Sequence, residues 1–303
     1  MAEKLSVPHI SILVGFGFLF ICMLFASSFT GVIIGWCTGE EVKNISDLAK
    51  DPSTHWVFRL VQGFSGFAIW GLAAIFWATY TGGFPQRLGF MRKTWPGFYL
   101  LAILATACAL PFVEWLLFSE NSLNLPEALE GFEKWIIKQE SKTEGALLEV
   151  FKDFSIGAIL GNFFVIAIIP AFAEEMFFRG FLLSTLRRMI NPHAAVWISA
   201  LIFSLLHFQF YGLFSRMALG AMLGYFYLWS GNLWASILAH FIHNFISLLI
   251  ALLALKGILS QAILEDDFGF GSVATILSFC LTFLLLYLYW RNSKKRNTKL
   301  AHE

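Results

Sequence analysis

The chain of 303 residues is 58% hydrophobic and 14% charged, with a formal net charge of +1 at pH 7. Soluble domains average about 45–50% apolar and about 25% charged residues, so the composition predicts an integral membrane protein with the lipid bilayer as its partner. A net charge this small gives no electrostatic reason to expect nucleic acid as a partner. The four cysteines form no CxxC or Cys/His cluster, which argues against a disulfide framework or a zinc ribbon.

Apolar runs long enough to cross a bilayer recur along the whole chain. A spanning helix needs about 20 mostly apolar residues, and eight runs approach this length. They lie near residues 10–35, 57–80, 96–118, 155–174, 194–210, 214–230, 232–253 and 272–290. The sequence therefore predicts an all-α fold: one transmembrane domain over residues 1–303, a polytopic bundle of about eight helices around a polar cavity.

Basic residues predict the orientation of these spans, because lysine and arginine concentrate in cytoplasmic loops. Three basic clusters fall on one side if both termini are cytoplasmic, and the opposite loops, 38–56, 119–154 and 255–270, hold most of the acids. A short polar N-terminus and a basic C-terminal tail suit a bacterial inner membrane. The clusters are Arg87, Arg92 and Lys93; Arg187 and Arg188; and Arg291, Lys294, Lys295, Arg296 and Lys299.

The segment 119–154 is predicted to be a non-cytoplasmic loop. Part of it, PEALEGFEKWIIKQE, places apolar residues on one face and glutamate and lysine on the other. An amphipathic helix resting on the outer membrane interface and a solvated loop are both compatible with this pattern. The apolar residues are Leu129, Phe132, Trp135, Ile136 and Ile137.

The fourth span carries charges in its interior. The stretch IIPAFAEEMFFRGFLL, residues 168–183, contains Glu174, Glu175 and Arg179. A charge at this depth costs about 2.5–3.5 kcal/mol on insertion scales and marks a functional site by default. Glu175 and Arg179 are one turn apart and can pair, while Glu174 is rotated by about 100°. Arg179 is thus predicted to hold one glutamate and to leave the other for a different partner.

Two later spans carry polar side chains one helical turn apart. Phe203 and His207 share a face of the fifth span, and His240 and Asn244 share a face of the seventh. His243 is rotated by about 60° from His240 and is predicted to be structural. A lone histidine in an apolar helix is most often a structural residue, but two acids, an arginine, two histidines and an amide together favour a functional site.

This set of side chains suits hydrolysis of an amide bond. A carboxylate beside a histidine can hold and deprotonate water, and a second histidine with an amide can donate to the oxyanion that forms. Nothing in the sequence places a base against Ser199 or Ser204, so no serine nucleophile is evident. Zinc is the alternative, because histidines and a glutamate can be its ligands. The motif HExxH is absent and Asn244 would be a poor ligand, so a metal-free site without a cofactor is favoured.

Three motifs, in order on successive helices, resemble those of the CAAX prenyl protease and bacteriocin-processing (CPBP, Abi) family of intramembrane endopeptidases. The resemblance covers residues 155–253, the predicted catalytic helices, and its strength lies in the order and helical spacing of the motifs rather than in any one of them. The motifs are Glu174-Glu175-xxx-Arg179, Phe203-xxx-His207 and His240-xxx-Asn244.

The resemblance implies a cavity that is conical and open toward the cytosol, which agrees with a motif at the cytoplasmic end of the fourth span. It also implies a membrane-associated or prenylated CAAX-type peptide as substrate, since eukaryotic members remove the last three residues of prenylated proteins. The roles that it implies are activation of water by Glu174 and His207, stabilisation of the oxyanion by His240 and Asn244, and support by Glu175, Arg179 and Phe203.

Two other functions fit parts of the pattern. In a proton-coupled transporter the same charges would form a relay, but transporters usually show repeats or helices broken near the midplane. Here Pro170 is the only proline within the motif-bearing helices, and no repeat is visible. A catalytically silent membrane scaffold of the same fold is the second alternative. The intact set of polar residues argues against it.

Overall fold

The structure, a computed structural model, describes residues 8–39, 45–121, 126, 128, 130–260 and 271–302. This part of the chain is helical, without a strand, and a short 3-10 turn, Ile45–Ala49, precedes the second helix. The helices are α1 (Pro8–Thr38), α2 (Pro52–Thr81), α3 (Gly97–Asn121), α4 (Glu130–Phe151), α5 (Ile156–Leu186), α6 (Pro192–Leu205), α7 (Leu213–Ser230), α8 (Leu233–Leu255) and α9 (Ser272–His302).

Six of these helices, α1, α2, α3, α5, α8 and α9, are long and apolar enough to cross a membrane. The prediction of a polytopic helical membrane bundle is therefore confirmed. Helix α7 has 18 residues but is less apolar, and α6 has 14 residues, about 21 Å at a rise of about 1.5 Å per residue. The fifth predicted span was expected to reach residue 210. It ends at Leu205, and Phe208 just beyond it has a positive φ of 53° that a helix cannot contain.

Helix α5 is not a uniform α-helix, because π-helical turns occupy Phe163–Ile168 and Met176–Leu183. Such turns occur often at functional sites. The second of them carries Phe177, Phe178 and Phe181, which are fully buried and form the centre of the main hydrophobic core. These aromatic side chains fix the helix that carries the acidic motif.

Basic residues gather at one end of the bundle. The turn between α7 and α8 meets the loop between α2 and α3 there, since Leu233 N donates to Gly89 O at 3.3 Å. Arg296 of α9 donates to Thr94 Oγ1 at 2.7 Å and to Ser230 O at 3.1 Å. The segments at this end, 82–96, 187–191, 230–232 and 291–296, hold nine lysines and arginines and no aspartate or glutamate. We call this the basic end.

Helix α4 forms within the segment 119–154, at the opposite end of the bundle, which we call the α4 end. It packs on the start of α2, where Arg59 Nη2 donates to Val150 O at 3.0 Å. The side chains of Phe132, Trp135 and Ile137 are exposed and that of Ile136 is buried. Leu129, the basic side chain of Lys299 and residues 261–270 of the third acidic loop lie outside the described residues.

Candidate active site

Helix α5 carries a fully buried ion pair. Arg179 Nη1 donates to Glu175 Oε1 at 2.6 Å, and the two side chains are 1% and 0% exposed. Arg179 Nη2 also donates to Gly220 O at 2.8 Å, and the guanidinium lies 4.9 Å from the ring centroid of Phe203. A buried charge is tolerated only when it is paired and hydrogen-bonded. Spacing along the helix predicted this pair, and the contacts from α6 and α7 complete it.

The absence of a side chain at Gly220 favours the contact to Arg179. A Cβ there would lie 3.1 Å from the Phe203 ring and 3.3 Å from Cα of Ala200, closer than ordinary van der Waals contact. The missing side chain lets α7 approach α6. As a result the Gly220 carbonyl comes within hydrogen-bonding distance of the buried arginine.

His240 of α8 lies between the two glutamates. Its Nδ1 is 2.9 Å from Glu175 Oε1, and its Nε2 is 3.9 Å from Glu174 Oε2. Because Glu175 is ionised in its pair with Arg179 and can only accept, Nδ1 carries the hydrogen of this bond. Helical spacing indicated Arg179 as a partner of Glu175, and His240 is a second partner that it did not indicate. The cause of this second contact is the packing of α8 on α5, which local spacing does not reveal.

His207 lies just beyond the end of α6, where its ring is fixed by the same helix. The Nδ1 atom is 2.7 Å from Phe203 O, and the two rings have centroids 4.8 Å apart. A carbonyl can only accept, so Nδ1 is the donor and Nε2 of the neutral ring is left as an acceptor. His207 can thus accept a hydrogen bond from a water molecule.

The loop that carries His207 is tied to α4. Glu140 Oε1 accepts from Phe210 N at 2.5 Å and from Tyr211 N at 3.3 Å. Tyr211 Oη donates to Glu133 Oε1 at 2.8 Å. Burial raises the pKa of Glu140, although the two amide hydrogen bonds act in the opposite direction. The segment 119–154 was predicted as a loop or interfacial helix, and its contribution to the placement of His207 went unpredicted.

A second acid fixes the start of α7, which follows the same loop. Glu120, the last but one residue of α3, is 6% exposed. Its two oxygens accept from Ser215 N at 2.7 Å and from Phe214 N at 2.9 Å. These amides belong to the first turn of α7, where N–H groups lack partners within the helix and a carboxylate is stabilised by the helix dipole.

Asn244 of α8 completes the hydrogen bonding of α5. Pro170 has no N–H to pair with the carbonyl four residues earlier, and that carbonyl belongs to Ile166. Asn244 Nδ2 donates to Ile166 O at 3.2 Å. The amide nitrogen has a second hydrogen, so one donor of Asn244 is available for another acceptor.

The four residues named as catalytic from the sequence line one cavity of about 360 Å³. Glu175, Arg179 and Phe203 are buried behind its wall. Ser199 and Ser204 donate to the Phe178 and Leu213 carbonyls. The full lining is Leu147, Phe151, Ile166, Pro170, Glu174, His207, His240, His243, Asn244, Ser247 and Leu248.

His243 and Ser247 are cavity residues that the sequence analysis did not include. His243 was predicted to be structural, but its side chain lines the cavity beside His240 and Asn244. On a helix with about 100° per residue, these three side chains and Ser247 fall within an arc of about 100°. Helical spacing was therefore the signal that could have found them.

The cavity extends from the glutamates toward the α4 end. Along α5 its lining runs from Glu174 to Ile166, and along α8 from His240 to Leu248, each about 12 Å at about 1.5 Å per residue. Both series lead away from the basic end, and α4 supplies the outer wall. If the basic end is cytoplasmic, the cavity does not open toward the cytosol. The predicted orientation and the cytosolic opening implied by the resemblance therefore point toward opposite ends of this cavity.

A larger cavity of about 670 Å³ lies on another side of α5. Its walls include Phe172, Met176 and Trp234, and all of its lining side chains are apolar. Since its lining offers no acid or base, it is not a candidate for catalysis.

Comparison with known proteins matches the part of the chain that carries the motifs to a family model. Residues 156–246 match the family model described as Rce1-like, type II CAAX prenyl endopeptidase. The matched residues contain all three motifs, and the match confirms the resemblance drawn from them. The match to a model described as an endopeptidase supports a peptidase.

A curated relative is the uncharacterized protein YpbD of Bacillus subtilis, 34% identical over 113 residues. The aligned region covers 36% of this chain and 53% of the relative, so the chain spans about half the length of the curated relative that it matches. No solved structure gives a significant match.

Proposed function

We propose that this protein is an intramembrane endopeptidase that hydrolyses a peptide bond of a membrane-associated or prenylated peptide by means of activated water. The observation that carries the proposal is the single cavity lined by Glu174, His207, His240 and Asn244. These residues lie within the segment that matches an endopeptidase family. The membrane helices give the protein a bilayer environment, and a bacterial inner membrane with both termini cytoplasmic is part of the proposal.

Glu174 and His207 would hold the attacking water. The Glu174 side chain is 14% exposed at the cavity, and His207 offers Nε2 as an acceptor. Water has two hydrogens, so each group can accept one of them and direct the oxygen at a carbonyl. As the new C–O bond forms, Glu174 takes the proton of the water as general base.

Asn244 and His240 would stabilise the oxyanion. One Nδ2 hydrogen of Asn244 serves Ile166, and the second can donate to the developing negative charge. The Nδ1 hydrogen of His240 is committed to Glu175, so His240 donates to the oxyanion from Nε2 in its doubly protonated form. The Glu175–Arg179 pair holds that ring in place. The C–N bond then breaks, and Glu174 returns its proton to the leaving amine, which yields a carboxylic acid and an amine.

A metal-free site is part of the proposal. Among the residues that the structure describes, no group of three His, Cys, Asp or Glu side chains could hold a metal ion. The steps above therefore use only the side chains of this chain. Addition of a chelator to the active protein tests this choice.

The test is cleavage of a farnesylated, internally quenched CAAX peptide, and of the same peptide without the lipid, by detergent-purified protein. Detergent exposes both faces of the protein, so the assay does not depend on its orientation. We expect cleavage by the wild type and none by Glu174→Gln at an unchanged thermal midpoint. Normal turnover by Glu174→Gln would disprove the assigned role. No cleavage of either peptide by the wild type would favour the silent scaffold.

A further inference from the structure

The direction of the candidate active-site cavity limits which side of the membrane its substrate can come from. The chain runs through α5 toward the basic end and through α8 away from it, because Leu186 precedes the Arg187–Arg188 pair and Leu233 is bonded to Gly89. Lining residues on both helices lie progressively farther from the basic end. The cavity thus extends from the glutamates away from the basic residues and toward α4.

Charge identifies the compartment that each end faces. The basic end carries nine lysines and arginines and no acid in the segments given above, a bias that marks the cytoplasmic side. Helix α4 carries both signs, with exposed pairs such as Glu130–Lys134. The α4 end lacks the positive excess expected of a cytoplasmic face.

The chemistry of the lining indicates what the cavity accommodates. Leu147, Phe151, Ile166 and Leu248 give apolar walls, while Ser247 and Asn244 add hydrogen-bonding groups. The lining side chains within the described residues include no lysine or arginine, so the cavity offers no permanently charged side chain for the carboxylate of a free C-terminus. The lining suits an internal peptide segment with apolar side chains.

We propose that the cavity is entered from the non-cytoplasmic face, beneath α4, and takes an internal peptide segment exposed on that face. The juxtamembrane part of a membrane-anchored or exported protein has this chemistry and location. A prenylated tail held at the cytoplasmic face lies on the wrong side. The identity of the ligand as a peptide to be cut rests on the proposed function, whereas the direction of entry does not.

Single cysteines test the direction of entry without any need for activity. In a variant lacking the native cysteines, each position is probed with a membrane-impermeant maleimide in right-side-out and inside-out vesicles. We expect Ser141→Cys on exposed α4 to react in right-side-out vesicles and Gln86→Cys, exposed at the basic end, in inside-out vesicles. Retained Glu174-dependent cleavage, or an unchanged thermal midpoint, verifies that the cysteine-free chain folds.

The decisive position is Ser247, inside the cavity. We expect Ser247→Cys to react in right-side-out vesicles at least tenfold faster than in inside-out vesicles. Its matched control on the same helix is Ser236→Cys, which is fully buried against the Leu223 carbonyl and should react in neither. Reaction of Ser247→Cys from the cytoplasmic face alone, or from neither face, would overturn the proposal.

A pair of reporters separates this inference from the proposed function. The same apolar segment is placed next to a single membrane anchor, on the non-cytoplasmic side in one reporter and on the cytoplasmic side in the other. We expect cleavage of the first alone, abolished by Glu174→Gln. Cleavage of the second alone would refute entry from the non-cytoplasmic face and keep the peptidase. Failure to cut either, with the expected cysteine labelling, would contradict the peptidase and support the direction of entry.

Discussion

His240 Nδ1 lies 2.9 Å from Glu175 Oε1, the same oxygen that accepts from Arg179 Nη1 at 2.6 Å. One carboxylate therefore joins α5 and α8 and also neutralises the buried arginine. The second oxygen of Glu175 is buried without a hydrogen-bond partner. Glu175 Oε1 thus connects Arg179 and His240. Glu174 lies outside this contact and faces the cavity.

We expect Glu175→Gln to destabilise the protein as well as to inactivate it. The amide cannot neutralise Arg179, and removal of one partner from a buried ion pair costs about 3–5 kcal/mol. The thermal midpoint in detergent should therefore fall by several degrees. Glu174→Gln is the matched control, with the same chemical change one residue earlier and no loss of midpoint. Equal midpoints for the two variants would show that the Glu175 pair does not stabilise the fold.

We expect a double variant to separate the structural role of Asn244 from its catalytic role. Asn244→Ala removes the hydrogen bond to Ile166 O, and loss of a donor to a buried polar group costs about 1–3 kcal/mol. Pro170→Ala supplies an N–H that can pair with that carbonyl. The double variant should regain most of the lost thermal midpoint and remain about 100-fold or more below wild-type kcat, as for loss of an oxyanion donor. Recovery of activity along with stability would make Asn244 a purely structural residue.

We expect Glu140→Ala to act on catalysis through His207. Loss of the two amide hydrogen bonds frees the loop after α6, and a small misplacement of a catalytic group can lower kcat by about tenfold to 100-fold. Glu149→Ala on the same helix is the control, because that carboxylate is exposed and pairs only with Lys152 in a surface contact.

A double-mutant cycle verifies the route of this effect. If Glu140 acts by holding His207, its substitution should have no further effect on kcat in a His207→Ala background. Independent, multiplicative losses in the double variant would mean that α4 influences the reaction by another route.

We expect Asp153 to contribute to stability in a pH-dependent way. The backbone N–H and hydroxyl of Ser155 lower the pKa of Asp153 below its ordinary value of 3.8, with a smaller contribution from Arg59. A group whose folded pKa is depressed stabilises the fold above its unfolded pKa and loses this effect as pH falls through the folded pKa. The midpoint difference between wild type and Asp153→Asn should be present at about pH 6 and vanish below about pH 3. Because the carboxylate is partly exposed to solvent, the difference should be small, and a constant difference across this range would contradict the assignment.

The parts of the site that lie within one helix could be predicted from the sequence. Glu175 and Arg179 are one turn apart, and His240 and Asn244 share a face for the same reason, so helical periodicity suffices. The bond between His240 and Glu175 joins residues 65 positions apart and depends on how α8 packs on α5. Periodicity carries no information about that packing.

The contributions of loops and irregular turns to the site could not be predicted from the sequence, for a different reason. The end of α6 at Leu205 reflects a backbone conformation at Phe208 that an apolar, helix-compatible sequence does not reveal. The role of Glu140 depends on α4 lying against the loop after α6. Charge in a segment read as a loop is ordinarily solvated, so nothing local distinguished this acid from its neighbours.

The ion pair of α5 also bears on how the protein is made. Glu175 and Arg179 belong to the same helix and lie one turn apart, so their charges can neutralise each other before α8 has been synthesised. Insertion of a helix with two unpaired charges would cost about 5–7 kcal/mol on insertion scales. A pairing that needs no other helix lets α5 enter the bilayer as a single unit during translation. His240 is synthesised later and completes the site, so α5 is inserted with this pair already formed and with Glu174 as the acid outside it.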